Sequence, residues 1–300
     1  MKKKIIVSLL NKKQDYQQLM ANDAYETAGR AGFDVEVHFC DNNSVIQIRL
    51  LLHHINAKPD ERPVTIIVEP VSSHGIENIA RSAVTNGIGW IILDSHPPYL
   101  DTLQTEFPQA IISKVDVDNK DIGAIQAQQV MALLSSGGNI LCVEGPNVSL
   151  PARARHEGFV EGLSKISNMN IEQTLLGNWT ETVAEQVVSS WFRRSRGNIN
   201  QINLVAAQND AMALATKRII ENEQPGWKKI IYIGCDGLPQ GGQDLVDKRI
   251  FAATIIKPSE TGPAIVQLAN YLQGNIINKN ITLPVHSYPT LHQLNLTRGF

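Results

Sequence analysis

The chain alternates between short apolar runs and amphipathic stretches almost without pause. KIIVSLL near the start leads into a helical stretch, Tyr16–Ala31, which Gly32 closes. FDVEVHFC alternates with the two-residue period of a strand, and VIQIRLLLHHI has helical spacing. PVTIIVEP reads as a buried strand between prolines, Ile76–Thr85 as a helix, and IGWIILD as the next strand. QAIISKVDVD, a helix over Ile122–Leu134 and the strand GNILCVEG continue the series. A helix near Arg155–Lys165, a weaker strand around Ile171–Leu175 and a helix from Glu181 to Arg194 follow. INLVAA, a helix over 209–222, KKIIYIGC, a short helix near 240–247, IFAATII and a helix over 260–273 complete it.

Such alternation predicts βαβ units and parallel sheets covered on both faces, an α/β fold. About a dozen strands are too many for one open sheet of usual size, so two sheets are expected. The tail after Gly274 has little helical periodicity and is expected to run back across the domains. Right-handed crossovers leave the strand C-termini of a parallel sheet on one edge, where ligands bind.

Composition narrows the function classes. The 300 residues suffice for two domains of ordinary size. A formal net charge of −2, with no basic block beyond Lys2-Lys3-Lys4, gives no footprint for nucleic acid. The apolar runs fall far short of the about 20 residues that span a bilayer, so no membrane insertion is expected. In MKKKIIVSLLNKKQDYQQ the apolar run is broken by Ser8 and stops at Leu10, which reads as a first strand rather than a secretory signal. The chain as it stands reads as cytoplasmic, and as periplasmic if an export signal has been removed from it. Cys40, Cys142 and Cys235 lie far apart with no CxxC spacing, which argues for small buried side chains rather than disulfides or zinc.

Chemistry concentrates at strand ends. IGWIILDSH ends on Asp94, GNILCVEG on Glu144, INLVAAQND on Asn209-Asp210 and IIYIGCDG on Asp236. One such residue is ordinarily a turn former or helix cap. Several converging on the rim of a parallel sheet could hold a ligand rich in hydroxyls. At the Asn209-Asp210 pair, the expectation is Asn209 on ligand and Asp210 capping the helix. SLPARARHEGFVEGL places Arg153 and Arg155 just before a helix, either solvated or reaching a polar ligand. GNWTE sets Trp179 in a polar turn, either as half-buried core or as a flat face for a sugar ring.

Other signals fail on spacing. DVDNKDIG imitates a calcium loop, but Lys120, Asp121 and Ala127 occupy the wrong positions, and capping by Asn119 or Asp121 is the better reading. There is no GxGxxG, no phosphate loop and no nucleophile elbow, so no cofactor, metal or catalytic site is expected. His53-His54 are adjacent on a helix and face different directions.

Through AAQNDAMALA, IGCDGLPQGG followed by RIFAATIIKPSETGPAIV, and ARARHEGFVEGL, the chain resembles the periplasmic-binding-protein type I family. That family groups ribose- and galactose-type sugar-binding proteins with effector domains of lactose-repressor-type regulators. The resemblance implies two doubly wound parallel-sheet lobes joined by a three-segment hinge, with crossings near 116–119, 255–258 and 280–284. The N-terminal lobe would comprise 1–117 plus 258–282 and the C-terminal lobe 118–257 plus 283–300. It implies ligand contacts from Asn209, Asp236, Arg153, Trp179 and Lys257, and from Asp94, Tyr16 and, approximately, Asp15. Ser95 stands where relatives carry an arginine, which disfavours ribose itself, and Lys257 brings a charge where many relatives are neutral. The function it implies is binding of a sugar or polyol between the lobes, with closure and no turnover. A signalling or transport partner protein would read the closed state. An effector domain without its own DNA-binding module, or a carbohydrate-modifying enzyme, is the alternative.

Overall fold

The computed structural model describes residues 2–164, 167–195, 202–227, 230–275 and 278–296. In chain order the elements are β1 (Lys4–Leu9), α1 (Asp15–Ala31), β2 (Asp34–Phe39), α2 (Ser44–Ile55), β3 (Thr65–Val68), α3 (Ile76–Thr85), β4 (Gly89–Leu93), α4 (Tyr99–Glu106), β5 (Ile112–Val117) and α5 (Asn119–Leu133). Next come β6 (Gly138–Glu144), α6 (Leu150–Leu163), β7 (Met169–Leu176), α7 (Glu181–Ser195), β8 (Leu204–Ala207), α8 (Asp210–Glu223) and β9 (Ile231–Ile233). A kinked turn, Pro239–Gln243, non-helical at Gln240 and Gly241, precedes α9 (Asp244–Asp247). The chain ends with β10 (Thr254–Ile256), α10 (Thr261–Leu272), β11 (Asn280–Leu283), β12 (His286–Tyr288) and α11 (Leu291–Leu296).

The chain divides into two compact units. The first comprises Met1–Val117, Val148–Leu150 and Ser259–Leu283, and the second comprises Asp118–Asn147, Pro151–Pro258 and Pro284–Phe300. Among the described residues the first unit holds one parallel sheet in the order β11-β5-β4-β3-β1-β2. Its inner strands β3, β4 and β5 are buried on both faces because helices cover both. Ile6, Ile66, Val68, Trp90 and Ile92 pack with Leu51 and Ile55 of α2 and with α3 and α4. Gly32 closes α1 in the left-handed conformation, φ 78°, donating to the last helical carbonyls.

The second unit carries the order β7-β6-β8-β9, all parallel. A bridge from Ile233 to Ala253 continues it toward β10, and β12 runs antiparallel to β10. Leu141, Val143, Val205 and Tyr232 face α7 and α8, while Ile140, Cys142, Leu204 and Ile233 face α5 and α6. Helices α5 and α6 touch through two glycines: a Cβ on Gly123 would lie 2.0 Å from the Arg155 carbonyl oxygen, and one on Gly158 2.0 Å from that of Lys120.

Several sequence expectations shift here. Helix α4 is an element the sequence pattern does not predict, and the tail, with little helical periodicity, supplies two short strands and a six-residue helix. Helix α5 starts earlier than expected because Asp118, not Asn119 or Asp121, caps it, accepting from the amides of Lys120 and Asp121. Helix α6 starts at Leu150, so Arg153 and Arg155 lie inside it rather than before it. Lys165, Lys228 and Lys229, at the ends of expected elements, lie outside the described residues.

Candidate functional site

Parallel strands place their C-terminal ends on one rim within each unit. In the second unit the strand β8 hands directly to helix α8 through Gln208 and Asn209. Asn209 is extended, φ −149°, and is itself the N-cap: its Oδ1 accepts from the Met212 amide at 2.9 Å. Its Nδ2 donates to the Trp179 carbonyl at 3.1 Å, which ties two predicted site residues together. Asp210 does not cap the helix, contrary to expectation. Its carboxylate turns inward and accepts from the Gly237 amide at 2.8 Å and the Thr254 hydroxyl at 2.7 Å. Gly234 and Gly242 make room for it, since a Cβ on either would approach a carboxylate oxygen to 2.1 Å. Burial, reinforced by the negative charge of Asp236, pushes the Asp210 carboxyl well above its ordinary range.

The two arginines of α6 part company. Arg153 is exposed, whereas Arg155 is only 3% exposed. Arg155 donates from Nε to Asn119 Oδ1 at 2.8 Å and from Nη1 to the Gln208 carbonyl at 2.7 Å. Its guanidinium carbon lies 5.3 Å from the centroid of the Trp179 ring, over one face of the indole. Trp179, with φ 65°, is half-buried against the α7/α8 core. Gly145 seats the ring edge, because a Cβ there would meet it at 2.2 Å. Gln208 braces the same loop, accepting from the Gly145 amide at 3.0 Å and donating to the Ala152 carbonyl at 3.0 Å.

Asp236 follows β9 with φ 107°, and its carbonyl accepts from the Lys257 amide at 3.1 Å. Lys257 is buried. The thiol of Cys235 lies close to four ionisable groups, Arg155, Lys257, Asp210 and Asp236. Burial raises its pKa to about 12, Asp236 and Asp210 raise it too, and Arg155 and Lys257 oppose them. Two cations and two carboxyl groups thus share this rim. Beside them Glu144, at the end of β6, pairs with His156 Nδ1 at 2.7 Å, while burial raises its pKa.

In the first unit Asp15 opens α1 and is exposed, and Tyr16 beside it is buried. Asp94 follows β4, buried, with φ 55° and its amide donating to the Val115 carbonyl at 3.2 Å. Ser95 turns its hydroxyl onto the Leu93 carbonyl at 3.3 Å. Sequence reasoning missed Glu69, which is buried at the end of β3. It accepts from Gln17 Nε2 at 2.8 Å, and its backbone carbonyl accepts from Gln47 Nε2 at 2.8 Å. The available signal was an acid closing an otherwise apolar strand.

Residues 5–276 match the family model described as a periplasmic binding protein domain. Among curated relatives, the galactofuranose-binding protein YtfQ of Escherichia coli is 24% identical over 221 residues, which are 73% of this chain and 67% of that protein. The ribose import binding protein RbsB of Salmonella typhimurium is 22% identical over 275 residues, 89% of this chain and 82% of that one. Among solved structures, the fructose-binding periplasmic domain of a hybrid two-component system superposes with a TM-score of 0.82 at 22% identity. That match covers 98% of this chain and 93% of the domain. A galactofuranose-binding protein also gives 0.82, at 19% identity, covering 99% of this chain and 98% of its own.

Proposed function

Because the chain belongs to the periplasmic binding protein family, we propose that it reversibly binds a sugar or a related polyhydroxylated small molecule and does not turn it over. The observation that carries this reading is the polar rim of the second unit, where Asn209, Trp179 and the Asp236–Lys257 pair are fixed by the strand ends. An amide, a carboxylate and an aromatic face are the groups that hold sugar hydroxyls and ring faces. Arg153 supplies an exposed guanidinium from α6, and Asp15, Tyr16 and Asp94 are the corresponding candidates in the first unit. Relatives that bind galactofuranose and ribose support the ligand class. A transport or signalling protein is the partner that reads the bound form, as the names of an import protein and a two-component domain suggest.

A thermal-shift screen over pentoses, hexoses, polyols and sugar acids tests the proposal. At a ligand concentration about 100 times Kd, stabilisation is about 2.7 kcal/mol, a shift of several degrees. Asp236→Gly should abolish it. Glycine accepts φ 107° without strain, so the variant removes the carboxylate and leaves the backbone at ease. A screen with no stabilising member, or an undiminished shift in the variant, defeats the assignment. The closure expected from the resemblance is read by small-angle scattering: the radius of gyration should fall on adding the best ligand, and an unchanged value argues against closure.

A further inference from the structure

Away from the strand-end rim, the edge strand β2 and the last turn of α2 bring together three groups that the binding function does not use. Glu36 and His38 are two residues apart on β2 and share the face that α2 covers. His54 reaches them from the helix. The Nε2 atoms of His38 and His54 are 3.3 Å apart, and Glu36 Oε2 lies 3.4 Å from His38 Nε2. All three potential donor atoms fall within 4.8 Å of one another.

These spacings have a specific meaning. A zinc ion holds imidazole nitrogen and carboxylate oxygen at about 2.0–2.2 Å, so neighbouring vertices of its tetrahedron are about 3.3–3.6 Å apart. The two short edges measured here fit that figure. We propose that Glu36, His38 and His54 form a site for one divalent cation of the zinc class, with the fourth vertex left to water. Turning the Glu36 carboxylate about its side-chain torsions closes the remaining edge. Lys4 Nζ holds Glu36 Oε1 at 2.7 Å, which orients the carboxylate and leaves Oε2 for the metal. His54 is buried, while His38 and Glu36 keep side-chain exposures of 31% and 42%, so the ion has an open approach from solvent. Bound metal would fasten the edge strand of the first sheet to the helix that covers it.

The rival explanation is a hydrogen-bonded pair of imidazoles with an acidic neighbour and no affinity for metal. Isothermal titration of tag-free, chelator-treated protein with zinc chloride separates the two, with cobalt(II) substitution as a second readout. The expected result is one equivalent bound, with the intense visible bands of four-coordinate cobalt. His38→Gln and His54→Gln should each weaken binding by about 100-fold or more, whereas His53→Gln, next door on α2, should leave it unchanged. Absence of a saturable one-to-one site, or undiminished binding in the His38→Gln/His54→Gln double variant, overturns the proposal. Circular dichroism of the metal-free variants checks that each is folded.

Discussion

Arg155→Ala should destabilise the second unit by about 3–5 kcal/mol, whereas Arg153→Ala, two residues away, should cost no more than about 0.5 kcal/mol. The asymmetry follows from where each guanidinium ends. Arg155 is buried, bonded to Asn119 and to the Gln208 carbonyl, and lies over the Trp179 ring. Truncating it removes a donor from the Asn119 amide oxygen and from the Gln208 carbonyl, and a buried acceptor left short costs about 1–3 kcal/mol. Arg155→Lys should not restore the loss, because an ammonium cannot address both partners in the plane of the fork. Arg153 is exposed, so its removal should spare stability and weaken ligand binding if it is the arm proposed above. Urea unfolding followed by tryptophan fluorescence measures both variants. Trp179, Trp191 and Trp227 all belong to the second unit and Trp90 to the first, so the signal mainly reports the unit in question. An Arg155→Ala protein as stable as the parent, or an Arg153→Ala protein equally damaged, would reverse the roles assigned to the two residues.

That pair also shows where sequence reading reaches its limit. Period and strand-end chemistry sufficed for Ile76–Thr85, whose bounds are those of α3, and for the rims on which Asn209, Asp236 and Asp94 stand. The spacing ARAR cannot say which arginine turns inward. Residues two apart on a helix point about 200° away from each other, and the start of α6 decides which one faces the sheet. Helix α4 was hidden because Pro97-Pro98 reads as a breaker, yet proline is tolerated where a helix begins. Pro151 likewise sits in the first turn of α6, ahead of the point where the helix was expected. Glu69 stayed out of sight for a different reason. Its burial is supported by Gln17 on α1 and Gln47 on α2, and neither partner is near it in sequence. The His38–His54 approach is of the same kind, since no helical or strand spacing relates the two. Local rules place elements and their ends, but they do not pair side chains across packed elements.

Asp210→Asn should gain stability relative to the parent as pH rises, and Asp210→Ala should lose at every pH. A carboxyl whose folded pKa is raised binds its proton more tightly in the native state than in the unfolded one. The stabilisation it gives is fully present below the unfolded value of about 3.9 and is lost as pH climbs through the raised folded value. Asparagine keeps the shape without the titration. Its Oδ1 can accept from the Gly237 amide, and its Nδ2 can donate to the Thr254 hydroxyl, which accepts as readily as it donates. The difference in unfolding free energy between parent and Asp210→Asn should therefore fall from acid toward neutral pH. Asp210→Ala instead strands the amide and the hydroxyl, at about 1–3 kcal/mol for each buried group left unpaired. Asp236 adds a second handle, because its negative charge is the other cause of the shift. Asp236→Gly should move the Asp210 window to lower pH without removing it, as burial remains. Urea midpoints for the parent and the three variants, taken at intervals from mildly acid to neutral pH, provide the measurement. A parent-minus-Asn difference that stays flat across that range would show that Asp210 does not keep its proton, and that its bonds to Gly237 and Thr254 outweigh the cost of burying its charge.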